Sequence, residues 1–415
     1  MNTSHIEILA PAGSFESLTA AIKAGCHSVY FGISDMNMRA TAAANFTFED
    51  LNEIVRICKK NNIKSYVTLN TLIYNDEVEK MHKIVDAVKQ ADATAIIAAD
   101  MATIIYARSI GVEVHISTQL SISNTETVKF YSQFSDRVVL ARELTLEQVK
   151  EICEDIKKQD IRGPKGELVE VEVFAHGALC VAVSGRCAMS LYCHNTSANR
   201  GRCTQICRRK YKVVDVATGN ELIVDNNYVM SSGDLSTIGF LDKLVDAGVT
   251  VLKFEGRGRA PEYVDTVIKS YKQALEAIQN NTYTQENIEK WNKDLDTVFN
   301  RGLTTGYYMG RRFDEWSGVS GSKATMEKVQ AGIVEKYYPK AKVVQIKIEA
   351  NIEGKTNENY VIIGKETGVI KNKLESFMVN DVSAETFKQS DVITFKIDSK
   401  VMRGDKFYLW RKRVD

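Results

Sequence analysis

Several features that would settle the class of this 415-residue chain are missing from it. It has almost no net charge, since 54 Lys and Arg stand against 53 Asp and Glu. That balance excludes a polyelectrolyte surface over the whole molecule, so any nucleic-acid surface must be a local patch. The opening MNTSHIEIL has neither a basic stretch nor an apolar core and does not read as a secretory signal. No uncharged apolar run reaches the roughly 18–20 residues of a membrane span. None of the six histidines is followed by glutamate, which removes the zinc-protease pattern His-Glu-x-x-His, and no Gly-x-Ser-x-Gly elbow occurs. Internal repeats beyond a strand–helix alternation and low-complexity tracts are absent too. The expectation is a cytoplasmic protein without a membrane anchor, in which eight cysteines are not a disulfide framework.

What is present is concentrated. The stretch His176–Val214 holds five of the cysteines, Cys180, Cys187, Cys193, Cys203 and Cys207. It also holds Arg186, Arg200, Arg202, Arg208, Arg209, Lys210 and Lys212, and no Asp or Glu. Thiols and positive charge gathered together in a charge-balanced chain point to a site. Soft thiolates select zinc or iron–sulfur clusters. Structural zinc favours paired Cys-x2–4-Cys knuckles. Here only Cys203 and Cys207 form a close pair, so the spacing suits an iron–sulfur cluster better, with its ligands on separate turns. Gly177, Gly185 and Gly201 would allow close backbone approach there. Cys26, Cys58 and Cys153 read as buried small hydrophobes, the last two on apolar helix faces.

Around this stretch, short apolar runs alternate with amphipathic helices. The runs are Ile6–Ala10, His27–Phe31, Ser65–Leu69, Ala95–Ala98, Val112–Ile116, Val138–Leu140, Val171–Phe174 and Thr250–Phe254. Helix starts are marked by Ser14, by Thr47 with Asp50, and by Thr145 with Gln148. Eight strands in this alternation predict a (β/α)8 TIM-like barrel over residues 1–280, with the Cys-rich stretch 176–214 inserted after strand 7. Residues 281–328 read as an extension and linker. Alternating runs in 329–415 predict a small C-terminal all-β barrel domain with a basic tail, Arg411-Lys412-Arg413.

Active sites of such barrels gather at the carboxyl ends of the strands. Those ends carry Gln119, His176, Glu255 and Arg257. His176 is read either as an acid–base group or as a satisfied hydrogen-bonding residue.

Several motifs resemble a known family. Glu172–Cys180, then Ser184-Gly185-Arg186-Cys187, and Asn199-Arg200-Gly201-Arg202-Cys203 running to Cys207-Arg208 resemble the signature of the collagenase-like peptidases of unassigned mechanism (peptidase family U, number 32). Ala10–Gly13, Arg39 with Asn45-Phe46, Ser117–Gln119, Gly233–Leu235, Lys253–Arg257 and Asn300–Gly302 fit it as well. The resemblance implies an oxygen-independent hydroxylase with a [4Fe-4S] cluster on Cys180, Cys187, Cys203 and Cys207. In the tRNA hydroxylation branch the product is 5-hydroxyuridine at the wobble position, with prephenate as small-molecule co-substrate. Other branches act on ribosomal RNA cytidine or on a quinone ring. Ser236 stands where some relatives carry a cysteine, which disfavours the quinone branch, as does the C-terminal β domain.

On this reading His176, Glu255, Arg257, Gln119 and Arg39 are the candidate catalytic residues. Arg200, Arg202, Arg208, Arg209, Lys210 and Lys212 are candidate RNA phosphate contacts, with tRNA as partner. The alternatives are a peptidase, as the family name has it, and a zinc-stabilised RNA-binding module without catalysis.

Overall fold

The structure, a computed structural model, describes residues 2–414 except 42, 213, 222–229, 311–315 and 320. The strands β1 (Glu7–Pro11), β2 (Ser28–Gly32), β3 (Lys64–Leu69), β4 (Ala95–Ala98), β5 (Val114–Ile116), β6 (Arg137–Val139) and β7 (Glu170–Ala178) follow one another in parallel register. A short β8 (Asp234–Ser236) intervenes before β9 (Val251–Phe254), which pairs in parallel with both β7 and β1 and closes the barrel. The eight parallel strands are those expected from the apolar runs. The outer helices include α1 (Phe15–Lys23), α2 (Phe48–Lys60) and the helix Leu146–Lys158, each capped by the side chain that marked it in sequence. Leu51, Ile54, Val55 and Cys58 form the buried face of α2, as their spacing requires.

Two strands were not legible as apolar runs. β8 lies antiparallel to the far end of β7, pairing His176 with Ser236 and Ala178 with Asp234. Leu303–Thr304 adds to β8 in parallel. The excursion from the barrel therefore begins beyond Ala178 and returns at Asp234, a longer span than 176–214.

The barrel interior is more polar than its strands suggest. Alternate residues point inward, and at the amino end these include Glu7, Ser28, Tyr66 and Arg137, all buried. Arg137 donates from Nη1 and Nη2 to the two Glu7 carboxylate oxygens, each at 2.9 Å, and from Nε to Glu170 at 2.7 Å. Tyr66 and Ser28 also donate to Glu7, at 2.8 and 2.7 Å. Burial alone would raise the Glu7 carboxyl, but Arg137 and Lys64 overcome it and hold Glu7 far below the usual carboxylate range.

The C-terminal region is a separate antiparallel all-β unit. Its eight-stranded sheet runs from Gly368–Leu374 at one edge to Val382–Ala384 at the other, over a core that includes Phe377, Phe387, Phe395 and Phe407. It packs outside the barrel on α1 and on the long helix Pro261–Gln279, which follows β9. Lys23 donates to the Thr367 carbonyl at 2.9 Å, and Lys328 pairs with Glu262 at 2.9 Å. Ala20, Val361, Ile363, Val369 and Tyr408 form the apolar part of that contact.

Removing one partner of a buried, hydrogen-bonded ion pair leaves the other charge uncompensated. Arg137→Met is expected to lower stability by about 3–5 kcal/mol. Lys150→Ala, which breaks an exposed pair with Asp246, should cost less than about 1 kcal/mol. Urea unfolding of the two variants beside the parent checks this, and equal midpoint shifts would contradict it.

Candidate active site

Further along the barrel the inward positions become Tyr30, Thr68, Ile97, Ser117, Phe174, Lys253 and Glu255, and these floor a cavity of about 290 Å³ at the carboxyl ends of the strands. The loop segment carrying Cys180, Cys187, Cys203 and Cys207 forms much of its wall. All four thiols are free and partly or fully accessible. Burial raises the Cys207 thiol, Arg208 opposes that, and Cys180, Cys203 and Cys187 add to the rise, so the four lie within electrostatic reach of one another. Cys193 is exposed and does not line the cavity. Burial pushes the Cys58 and Cys153 thiols up to about 12, consistent with inert filler.

Among the described residues no three His, Cys, Asp or Glu side chains converge on a single metal ion. The four thiols border one cavity. The donor set, four thiols with cations behind them, fits a thiolate-ligated cluster.

The cavity is strongly cationic. Arg39, Arg142, Arg208, Lys253, Arg257, Arg259 and Arg301 line it, and Glu255 is the lining carboxylate. Glu172 pairs with Lys253 at 2.6 Å and Asp234 with Arg301 at 3.3 Å, yet cations remain in excess. Arg39 binds Glu255 at 2.9 Å. Burial raises the Glu255 carboxyl, but Arg39, Arg259 and Arg142 bring it down to about 2, so it is a carboxylate at any working pH. Arg257 donates to Thr68 Oγ1 and Asn37 Oδ1, each at 2.9 Å, and so ties the loop after β2 to the end of β3. Gln119 accepts from Asn70 at 3.0 Å and from Ser117, forming a polar edge on the opposite wall.

His176 stands apart from the other candidates. It is 2% exposed, does not line the cavity, and its Nδ1 lies 3.4 Å from the Tyr271 hydroxyl. Burial lowers it to about 3, with Glu255 only partly opposing. His176 is thus buried beside Tyr271 and out of contact with the cavity.

The basic residues also divide. Arg208 turns inward, donating to the Leu179 carbonyl at 2.5 Å, to Ser231 Oγ at 3.1 Å and to the Ser232 carbonyl, locking the segment to the barrel. Arg200 pairs with Glu77 and lies 3.9 Å from the Tyr74 ring centroid. Lys212 pairs with Glu221. Arg202, Arg209 and Lys210 are exposed. Gly201 serves packing rather than approach to the cavity: at φ +77° its absent Cβ would stand 2.0 Å from the Asn37 carbonyl oxygen. Sequence reasoning missed Arg142, Arg259 and Lys253 as cavity groups; their signal was a cation at or just past a strand end.

Between about pH 6.5 and 3 the unfolded chain binds a proton at residue 176 that the folded chain refuses, so this group makes stability fall as pH drops, by up to about 1.4 kcal/mol per pH unit. His176→Gln is expected to flatten that acid limb, as measured by urea midpoints from pH 7 to 5. An unchanged slope would mean that the imidazole titrates normally.

Residues 13–318 match the family model described as Peptidase family U32. The chain is 51% identical, over 415 residues and the full length of both proteins, to a protein of Porphyromonas gingivalis named collagenase. It is 30% identical over 417 residues, 96% of this chain and 93% of the relative, to tRNA hydroxylation protein P1 of Bacillus subtilis. A third relative, 23S rRNA 5-hydroxycytidine C2501 synthase of Escherichia coli, is 33% identical over 279 residues, 67% of this chain and 40% of that one. A family match over most of the sequence and relatives aligned end to end carry one conclusion: the chain belongs to peptidase family U32.

Proposed function

We propose that this protein is an oxygen-independent, iron–sulfur-dependent RNA hydroxylase that forms 5-hydroxyuridine at the tRNA wobble position with a prephenate-type co-substrate. The observation that carries the reading is the meeting of four thiols and an excess of cations on one cavity at the barrel mouth. Full-length similarity to a protein named for tRNA hydroxylation supports it. Cys180, Cys187, Cys203 and Cys207 would hold a [4Fe-4S] cluster, which supplies one-electron chemistry when bound.

The chain's own side chains do the rest. Arg142, Arg259 and Arg301 present positive charge to a small carboxylate co-substrate. Asn70, Ser117 and Gln119 offer donors and acceptors to the edge of a pyrimidine. Glu255, kept ionised by Arg39, orients that arginine toward the cavity. A uridine must leave its stack to enter such a recess, which an anticodon loop permits at little cost.

The second reading is a peptidase, favoured by the name of the 51% identical relative. The geometry gives it less support. A cysteine nucleophile needs an adjacent base, and among the described residues no thiol shares a hydrogen bond with a histidine.

Protein purified without oxygen is expected to be brown, with about four iron and four sulfide per chain. Cys203→Ser should bleach it, whereas Cys58→Ser and Cys193→Ser should not; a colourless zinc protein would refute the cluster. Nucleoside mass spectrometry of tRNA from a strain lacking the protein should show loss of 5-hydroxyuridine derivatives. Unchanged nucleosides together with gelatin cleavage by the pure protein would establish the peptidase instead.

A further inference from the structure

Helix Met189–His194 sits between two of the cavity cysteines. The Met189 amide donates to Cys187 Sγ at 3.4 Å, and the Thr204 amide, next to Cys203, donates to Ser190 Oγ at 3.1 Å. With Ser190 buried as the anchor, the helix turns Leu191, Tyr192, Cys193 and His194 to solvent. Tyr192 is 89% exposed and Leu191 48%, an unusual display on an ordered helix of a charge-balanced protein. Cations border it: Arg209 Nη2 lies 3.5 Å from His194 Nε2, and Lys210 follows in the chain. No carboxylate belongs to the segment from His176 to Lys212.

We propose that this face is a stacking platform for an unpaired base of the RNA, with Tyr192 as the stacking ring and Arg209 as the contact to the adjoining phosphate. An exposed aromatic ring beside cations complements a chain of bases and phosphates. The charge pattern favours nucleic acid over an extended peptide, which carries no regular negative charge. The helix is hydrogen-bonded to Cys187, which lines the cavity, and to Thr204 beside Cys203, so the platform holds a nucleotide neighbouring the one that enters. Tyr192 then discriminates loops from duplexes, since only an unpaired base offers its face.

This inference rests on the RNA reading above. The test is fluorescence anisotropy with full-length, anaerobically purified protein and two labelled RNAs, an anticodon stem–loop and a fully paired duplex of the same stem. The parent should prefer the stem–loop. Tyr192→Ala should weaken stem–loop binding roughly 5- to 100-fold, the range for losing one base–aromatic stack, and abolish the preference, while Tyr192→Phe retains it. Arg209→Ala should weaken both RNAs and reduce the salt slope by about one. Parent protein that binds neither RNA would bring down the RNA reading itself. A parent that prefers the loop and a Tyr192→Ala variant that keeps this preference would overturn the platform alone. Gelatin binding lost in Tyr192→Ala, with RNA binding unaltered, would reassign the face to a peptide.

Discussion

The interior of the barrel combines buried ion pairs with a small apolar layer of Leu9, Tyr30, Tyr66, Ala95, Ile97 and Val251. Arg137 on β6 grips Glu7 on β1 with both guanidinium nitrogens, and Lys253 on β9 grips Glu172 on β7. The first contact spans the barrel interior and the second joins the neighbouring strands β7 and β9, and together they fix the relative height of four strands. A buried charge is tolerated only when fully partnered, so any slip in register would strand one of them. The cavity above depends on that register: Lys253 is both the end of the lower network and part of the cavity floor.

Electrostatics then grade the cavity from the inside outward. Carboxylates deep in the barrel neutralise the lower cations, whereas Arg142, Arg257 and Arg259 near the mouth have fewer acidic partners. Burial lowers all three guanidinium groups from their ordinary value, although they remain cations. Unsatisfied positive charge in a recess is an invitation to anions, whether thiolates, carboxylates or phosphates.

Much of this was legible in the sequence. The eight parallel strands announced themselves as apolar runs because each is covered by helices, and the caps at Ser14, Thr47 and Thr145 sat where they were expected. The four cysteines that line the cavity are those the motif singled out. The parts that were not legible share a cause: they depend on inward alternation in three dimensions. Glu7, Arg137 and Glu172 look like surface charges in a linear reading, because nothing local tells a barrel interior from solvent. β8 was hidden because three residues, Asp234–Ser236, carry no periodicity of their own and borrow their pairing from β7. His176 was read two ways because its strand end was taken to face the mouth; the register of β7 shifts between Phe174 and His176, and His176 does not line the cavity.

The docking of the C-terminal sheet has an architectural meaning beyond substrate grip. The barrel closes where β9 meets β1, so the first and last thirds of its circumference join at a single seam. The helices flanking that seam are α1 and the helix Pro261–Gln279, and these are the two on which the sheet lies. The sheet is therefore an external clasp over the joint, complementing the backbone hydrogen bonds inside it. Truncating the chain before residue 326 would strip the clasp as well as the appended unit, and the seam would become the place where the barrel breathes.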